Sequence, residues 1–339
     1  MMRSSLKYLG LLVCAMLLSA APALAETLSW RLTEVPPAGY WPVKNDIWLT
    51  EQVAQRTNGD MTVKVFPGGS MGFKSPDYLE ATGEGLVEMA AIIGSHVAAN
   101  EQILEMFDLP MFIPWDIPFR KKLMLAMEPD FQKLLADKYN VYMYGFYLIE
   151  PRMIHSKEKV ASLADLRGVK IRAMGPVEVN FTKAIGATPV PVNWSELYTA
   201  LQQGMVDGNW AADAPQFATK LHDQTRYVFD VASAGAMITL SVNKDKWEGL
   251  PDNVRKVWLD LKDDWFNRQF ESAREGYDSG RKLLTDAGVQ AIPVTDADRQ
   301  RIVDAAKPVI DEWQSRLDAP SRRIFEKAKA LVEAYHASS

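Results

Sequence analysis

Two arginines are the residues best suited to gripping an anion. Arg172 closes the β-type run of "GVKIRAMGP", residues 168–176, just before the chain turns at Gly175-Pro176. Arg152 stands twenty residues earlier, at the opening of the preceding strand region. A guanidinium offers parallel N–H donors that match a carboxylate at two points, a geometry lysine cannot copy. Ligands of parallel sheets sit beyond the carboxyl ends of the strands, which is where Arg172 falls. Taken without further context, Arg172 reads first as a structural bridge to Asp165 or Glu178.

Catalytic patterns are scarcer. "GGSMG", residues 68–72, matches G-x-S-x-G and follows a strand, which nominates Ser70 as a nucleophile. An elbow of that kind needs its helix straight after the serine, and here the helix signal, Ser75-Pro76, comes five residues late, so an ordinary turn is expected. The four histidines, His96, His155, His222 and His336, are scattered and form no zinc spacing, so no metal is expected. Neither G-x-x-x-x-G-K-[ST] nor G-x-G-x-x-G occurs, so no nucleotide cofactor is expected.

The elements that must position the arginines are legible from periodicity. Leu28, Trp30 and Leu32 alternate as a strand; Val43, Ile47, Thr50 and Ala54 recur at helical spacing until Asn58-Gly59. "MTVKVF" (61–66) alternates again, a helix fits 76–83 with Ser75 as cap, and "LVEMAAII" (86–93) reads as a buried strand. This β-α-β-α-β order argues for mostly parallel sheets with helices on their faces. After Pro110, Pro114 and Pro118 come a helix from Phe119 to Tyr139 and the strand "VYMYGFYLI". The alternation restarts at Arg152, with a lobe boundary near Glu150-Pro151, and "AGAMITLSVNK" (234–244) reads as a strand returning to the first lobe. From Pro251 to Asp286 a helix of roughly 35 residues would reach about 50 Å, long enough to pack across both lobes. The tail from Thr295 to Tyr335 reads as helical with a break at Pro308.

A basic start, an apolar run from Tyr8 to Ala21 and Ala23-Leu24-Ala25 read as a secretory signal over 1–25, which places the rest in the periplasm. The single cysteine, Cys14, lies inside it, so the exported part relies on its core alone. The formal charge is −5, and −7 once Arg3 and Lys7 leave with the signal, which argues against nucleic acid as a partner. The expected division is lobe 1 at 26–150 plus about 235–275, and lobe 2 at 151–234 plus about 276–330.

The blocks "DLRGVKIR" and "ALQQGMVDG", with "VAQRTNGDMTVKVFPGGSMG" earlier, resemble the DctP-type solute-binding proteins of tripartite ATP-independent periplasmic (TRAP) transporters, and the likeness covers most of the chain beyond the signal. The resemblance implies an α/β, two-lobe periplasmic binding protein fold with a hinge and a long helix spanning both lobes. It implies that Arg172 grips a ligand carboxylate, that Arg152 assists and that Trp194 forms a pocket wall. Many relatives place Glu-Asn after the Asp-Gly, and that asparagine binds ligand; here Asn209-Trp210-Ala211 follow Asp207-Gly208. Ala211 cannot donate a hydrogen bond, and Trp210 with Trp194 tilts the expectation toward a monocarboxylate with an apolar body. Asn209, Met174, Ser95, Tyr40 and Trp41 complete the candidate set. The expected partners are a small organic acid and the TRAP integral membrane subunits, with the protein a monomer or a dimer. A periplasmic serine hydrolase using Ser70 and a ligand sensor for a receptor kinase are the alternatives.

Overall fold

A computed structural model describes residues 27–338, and the expected signal at 1–25 lies outside the described residues. The strand Leu28–Thr33 (β1) leads through a proline turn to the helix Trp41–Arg56 (α1) and then to Met61–Phe66 (β2). Pro42 opens α1 where a missing N–H costs nothing. β2 pairs parallel to β1, with Leu28 opposite Met61 and Thr33 opposite Phe66. A single 3-10 turn, Ser75–Asp77, precedes the helix Tyr78–Gly83 (α2) and the strand Met89–Ile93 (β3). The expected Ser75 cap is absent because the Ser75 hydroxyl pairs with His96 instead.

The helix Ile117–Tyr139 (α3) starts on an Asp116 cap that accepts from the Phe119 N–H (2.7 Å) and ends on Asn140 in the left-handed region. Then come Val141–Leu148 (β4) and the short crossing 149–152 into Met153–Ser156 (β5). The second lobe continues with Lys170–Arg172 (β6), Pro176–Ala184 (α4), Thr188–Val190 (β7), Leu197–Gln202 (α5), Gly208–Ala211 (β8), Asp213–Ala218 (α6) and Tyr227–Phe229 (β9). A second crossing, 230–236, leads to Met237–Asn243 (β10), the strand expected to return to the first lobe, and it lies between β3 and β4. All seven β10 residues are buried, as suits a strand covered on both faces.

The first sheet has the order β2-β1-β3-β10-β4. After β10 come Lys244–Glu248 (α7), the long helix Asp252–Asp286 (α8), Gln290–Ile292 (β11), Asp296–Ser315 (α9) and Ala319–Ser338 (α10). The second sheet runs β11-β9-β5-β8-β6-β7. Both sheets are mixed but mostly parallel, as the β-α-β order predicts: four of the five strands in the first and five of the six in the second share a direction. Each takes in a strand that has just crossed from the other lobe: β10 is antiparallel to β3 and β4, and β5 to β8 and β9. The two crossings bond to each other, Ile149 N to Ala236 O (3.0 Å) and Ser233 N to Arg152 O (3.0 Å), and so form a paired hinge.

The 35-residue α8 joins the lobes. Near its start Trp258 and Trp265 pack edge-on against Tyr144 of β4, and Trp265 Nε1 donates to Asp46 of α1 (2.6 Å). Near its end Arg281 donates to Asp213 of α6 (2.6 Å). β4 carries Gly145 where a Cβ would stand 2.6 Å from the Trp265 ring. Pro308 does not break the tail: it lies inside α9, and the interruption falls at 316–318. The proline forfeits its own bond to the carbonyl four residues back, while buried Ile302, Ala306, Val309 and Trp313 hold the helix on either side of it.

Candidate functional site

Arg172 is the last residue of β6, with Val190 of β7 and Asn209 of β8 opposite it on the two sides. Its neighbours fix the head group: Nε donates to the Val192 carbonyl (3.0 Å), and the guanidinium lies 5.6 Å from the centre of the Trp194 ring. Nη1 is 4.0 Å from Glu178 Oε2, and Nη2 is buried without an acceptor. The residue as a whole is 4% exposed. Burial brings the Arg172 pKa down to about 10, with Glu178 opposing the fall and Arg152 adding to it, so the group remains a cation at neutral pH.

Arg152 rises from the hinge. One Nη bonds Asp108, the other lies 2.7 Å from Glu178 Oε1, and Nε donates to Ala234 O (3.3 Å). Burial works against its charge, and Glu178 and Asp108 outweigh that effect. Burial raises the Asp108 carboxyl to about 6 even with Arg152 alongside. Glu105 is pushed well above the carboxylate range, chiefly by burial, and its Oε1 accepts the Val177 N–H (2.9 Å) across the gap between the lobes.

Arg172 and Arg152 border a cavity where the lobes meet, with about 590 Å³ of non-atom space that includes the open solvent at its mouth. Among the residues singled out from the sequence, Arg152, Arg172, Ser95, Tyr40, Trp194 and Trp210 line it. Tyr40 presents its ring, since its hydroxyl donates to Glu150 (2.6 Å). Trp210 is anchored by its Nε1 bond to Thr182 (2.9 Å) and by stacking on Phe181. Met174 borders an adjoining cavity together with Ser75, His96 and Trp194. Trp41 and Asn209 are not on the main wall. Trp41 Nε1 donates to Glu150 (2.6 Å), and the Asn209 amide donates to Gln216 (2.9 Å).

His96 was not in the candidate set, yet it lines the cavity, its Nδ1 2.6 Å from the Ser75 hydroxyl. Burial, with Arg172 and Arg152 nearby, drives its pKa down to about 3, so the ring is neutral. Asp108 and Glu105 also belong to the cluster, and no local spacing announces them, because their partners come from the other lobe. Ser70 sits exposed in the turn after β2. Among the described residues no group of three His, Cys, Asp or Glu could hold a metal ion.

Comparisons with known proteins agree with the fold. The chain is 27% identical over 337 residues to the C4-dicarboxylate-binding periplasmic protein DctP of Rhodobacter capsulatus, covering 96% of this chain and 98% of that one. It is 26% identical to the ectoine/5-hydroxyectoine-binding periplasmic protein UehA of Ruegeria pomeroyi, covering 96% of each. The crystal structure of a Bordetella pertussis extracytoplasmic solute receptor binding pyroglutamic acid superposes with a TM-score of 0.83 at 22% identity, over 89% of this chain and 99% of that one. Residues 47–316 match the family model for bacterial extracellular solute-binding proteins, family 7. With two mixed sheets, a paired hinge and a buried cation between the lobes, the chain belongs to that family, the DctP family of solute-binding proteins.

Proposed function

We propose that the protein captures a small organic acid through its carboxylate in the periplasm and presents the closed form to the integral membrane subunits of a TRAP transporter. The observation that carries this reading is Arg172: a buried guanidinium at the lobe junction with one Nη lacking any acceptor. Bringing the lobes together takes that donor out of water, which is unfavourable until an anion meets it. A ligand that moves the lobes from 1:99 to 99:1 closed must prefer the closed form by about 5.5 kcal/mol. A desolvated ion pair together with apolar wall contacts is of that order. The relatives named for C4-dicarboxylates and the structure binding pyroglutamic acid support a carboxylate ligand.

Thermal-shift screening of the protein against a panel of organic acids tests the reading, because a ligand of the folded form raises its melting temperature by mass action. A carboxylate that shifts the wild type and leaves Arg172→Ala unshifted is the expected result. Equal shifts in both proteins would remove Arg172 from the site.

A further inference from the structure

Resting on that reading, we propose that the ligand is a monocarboxylate with an apolar or aromatic body, and that compact dicarboxylates are selected against. The first observation is the distribution of charge around the cavity. Two cations line it, and they are not equivalent. Arg152 is bonded to Asp108, 2.7 Å from Glu178 and tied to the Ala234 carbonyl, whereas Arg172 has no acid nearer than 4.0 Å and keeps an unpartnered Nη2. One carboxylate therefore finds a matching donor pair. A second would meet an arginine whose charge Asp108 and Glu178 already answer from behind the cavity wall, and a buried unpaired carboxylate is strongly disfavoured.

The second observation is the rest of the wall. Val35, Ile93, Ile149, Trp194, Trp210 and Ile238 face the cavity. Tyr40 adds a ring whose hydroxyl is committed to Glu150. His96, bonded to Ser75, brings a hydrogen-bonding edge and no charge. Apart from the His96 edge and the Ser95 hydroxyl, the wall offers hydroxyl or carboxyl groups along the ligand body no partner in exchange for water, while hydrocarbon or an aromatic ring gains by leaving water. Trp194 beneath the Arg172 head group sets the order of parts: carboxylate on the guanidinium, apolar body against the indoles.

Calorimetric titration of the purified protein with phenylacetate, 4-methyl-2-oxopentanoate, succinate and malate tests this. At least one of the two monocarboxylates should bind about tenfold or more tighter than either dicarboxylate, and phenylacetamide, which lacks the charge, should not bind. Asp108→Asn takes one acid from Arg152 and keeps the shape of the side chain, so succinate should gain about tenfold relative to phenylacetate. Dicarboxylates binding as tightly as the monocarboxylates in the wild type would overturn the inference and leave the organic-acid reading standing. If none of the four acids binds, the inference falls, and the organic-acid reading is decided by the thermal-shift panel. A succinate-to-phenylacetate ratio unchanged by Asp108→Asn would overturn the charge argument.

Discussion

Arg172 Nη1 stands 4.0 Å from Glu178 Oε2, beyond hydrogen-bond reach. Glu178 leans instead toward Arg152, 2.7 Å away, and its Oε2 accepts the Met174 N–H (2.7 Å). The acid nearest to Arg172 is held by the hinge arginine and by the turn after β6, which leaves Nη2 of the buried head group without an acceptor.

Arg172→Ala and Arg172→Lys should both lose roughly 2–5 kcal/mol of binding free energy for a carboxylate ligand, the usual loss on truncating one partner of a buried charge pair. Lysine keeps the charge and lacks the fork, so its loss should approach that of alanine. Melting of the unliganded protein should change little, because the native side chain makes a single hydrogen bond, to Val192. Titration calorimetry beside thermal melts checks both parts. A lysine variant with wild-type affinity would refute two-point recognition.

Trp194→Ala should weaken an apolar monocarboxylate by about tenfold, the scale of losing buried aromatic area. A small acid such as acetate should be affected much less. Trp194 is only partly buried, so the fold should survive, which makes it a better probe than the fully buried Trp210. Equal losses for the long and the short acid would show that Trp194 supports Arg172 and does not touch the ligand body.

Gly175 has φ +77°, and a Cβ there would meet Glu105 Oε1 at 2.6 Å and the Ser95 carbonyl at 2.7 Å, both on the opposite lobe. Gly175→Ala should therefore hold the cleft ajar. About tenfold or more of ligand affinity should be lost, with about 1–3 kcal/mol of stability from a positive-φ extended backbone that only glycine adopts readily. Small-angle scattering should show a variant that fails to become more compact when ligand is added. Normal compaction would mean that the two lobes yield at this contact.

A carboxyl whose folded-state pKa lies above its unfolded value binds a proton on folding. Its stabilising contribution is full below the unfolded value near 4 and is lost as pH rises through the folded one. Burial lifts Asp46 and Glu150 to about 7. His96 and His155, lowered by burial to about 3 and about 4, act in the opposite sense, but only below their ordinary value near 6.5. From about pH 6.5 to about pH 8.5 the melting temperature should fall, by roughly 2–4 °C for each kcal/mol lost. Asp46→Asn keeps an acceptor for Trp265 and Gln269 and should flatten the slope. A wild-type profile flat over that window would contradict the burial of these acids in ionisable form.

Alternation and turn residues make most of the architecture legible: β1, β2 and β4 to within a residue or so, the α8 span almost to its ends, and the return of β10 to the first sheet. The strand end that carries Arg172 is legible, but pattern alone reads its side chain first as a bridge to Asp165 or Glu178, and the anion-gripping role follows only from the resemblance of the blocks around it. The reversal of β5 and β10 is not legible, since it follows from crossings that a local pattern does not encode. Nor are the partners of Arg152: Asp108 lies 44 residues away and Glu178 on another helix, and only the closed fold brings them together. The same holds for Asn209, whose position beside Trp210 suggests the cleft while its amide belongs to Gln216.

The two hinge crossings are laced to each other, and α8 is pinned by tryptophans at one end and by Arg281 at the other. Shearing one half along the other would tear that rod from its anchors, and twisting would unlace the crossings. Rotation about the laced line remains, like the jaws of a clothes peg around its pin. A molecule in the mouth is then gauged along one coordinate, so a body slightly too bulky is felt far from the pivot as a wider gape, where a membrane protein can read it.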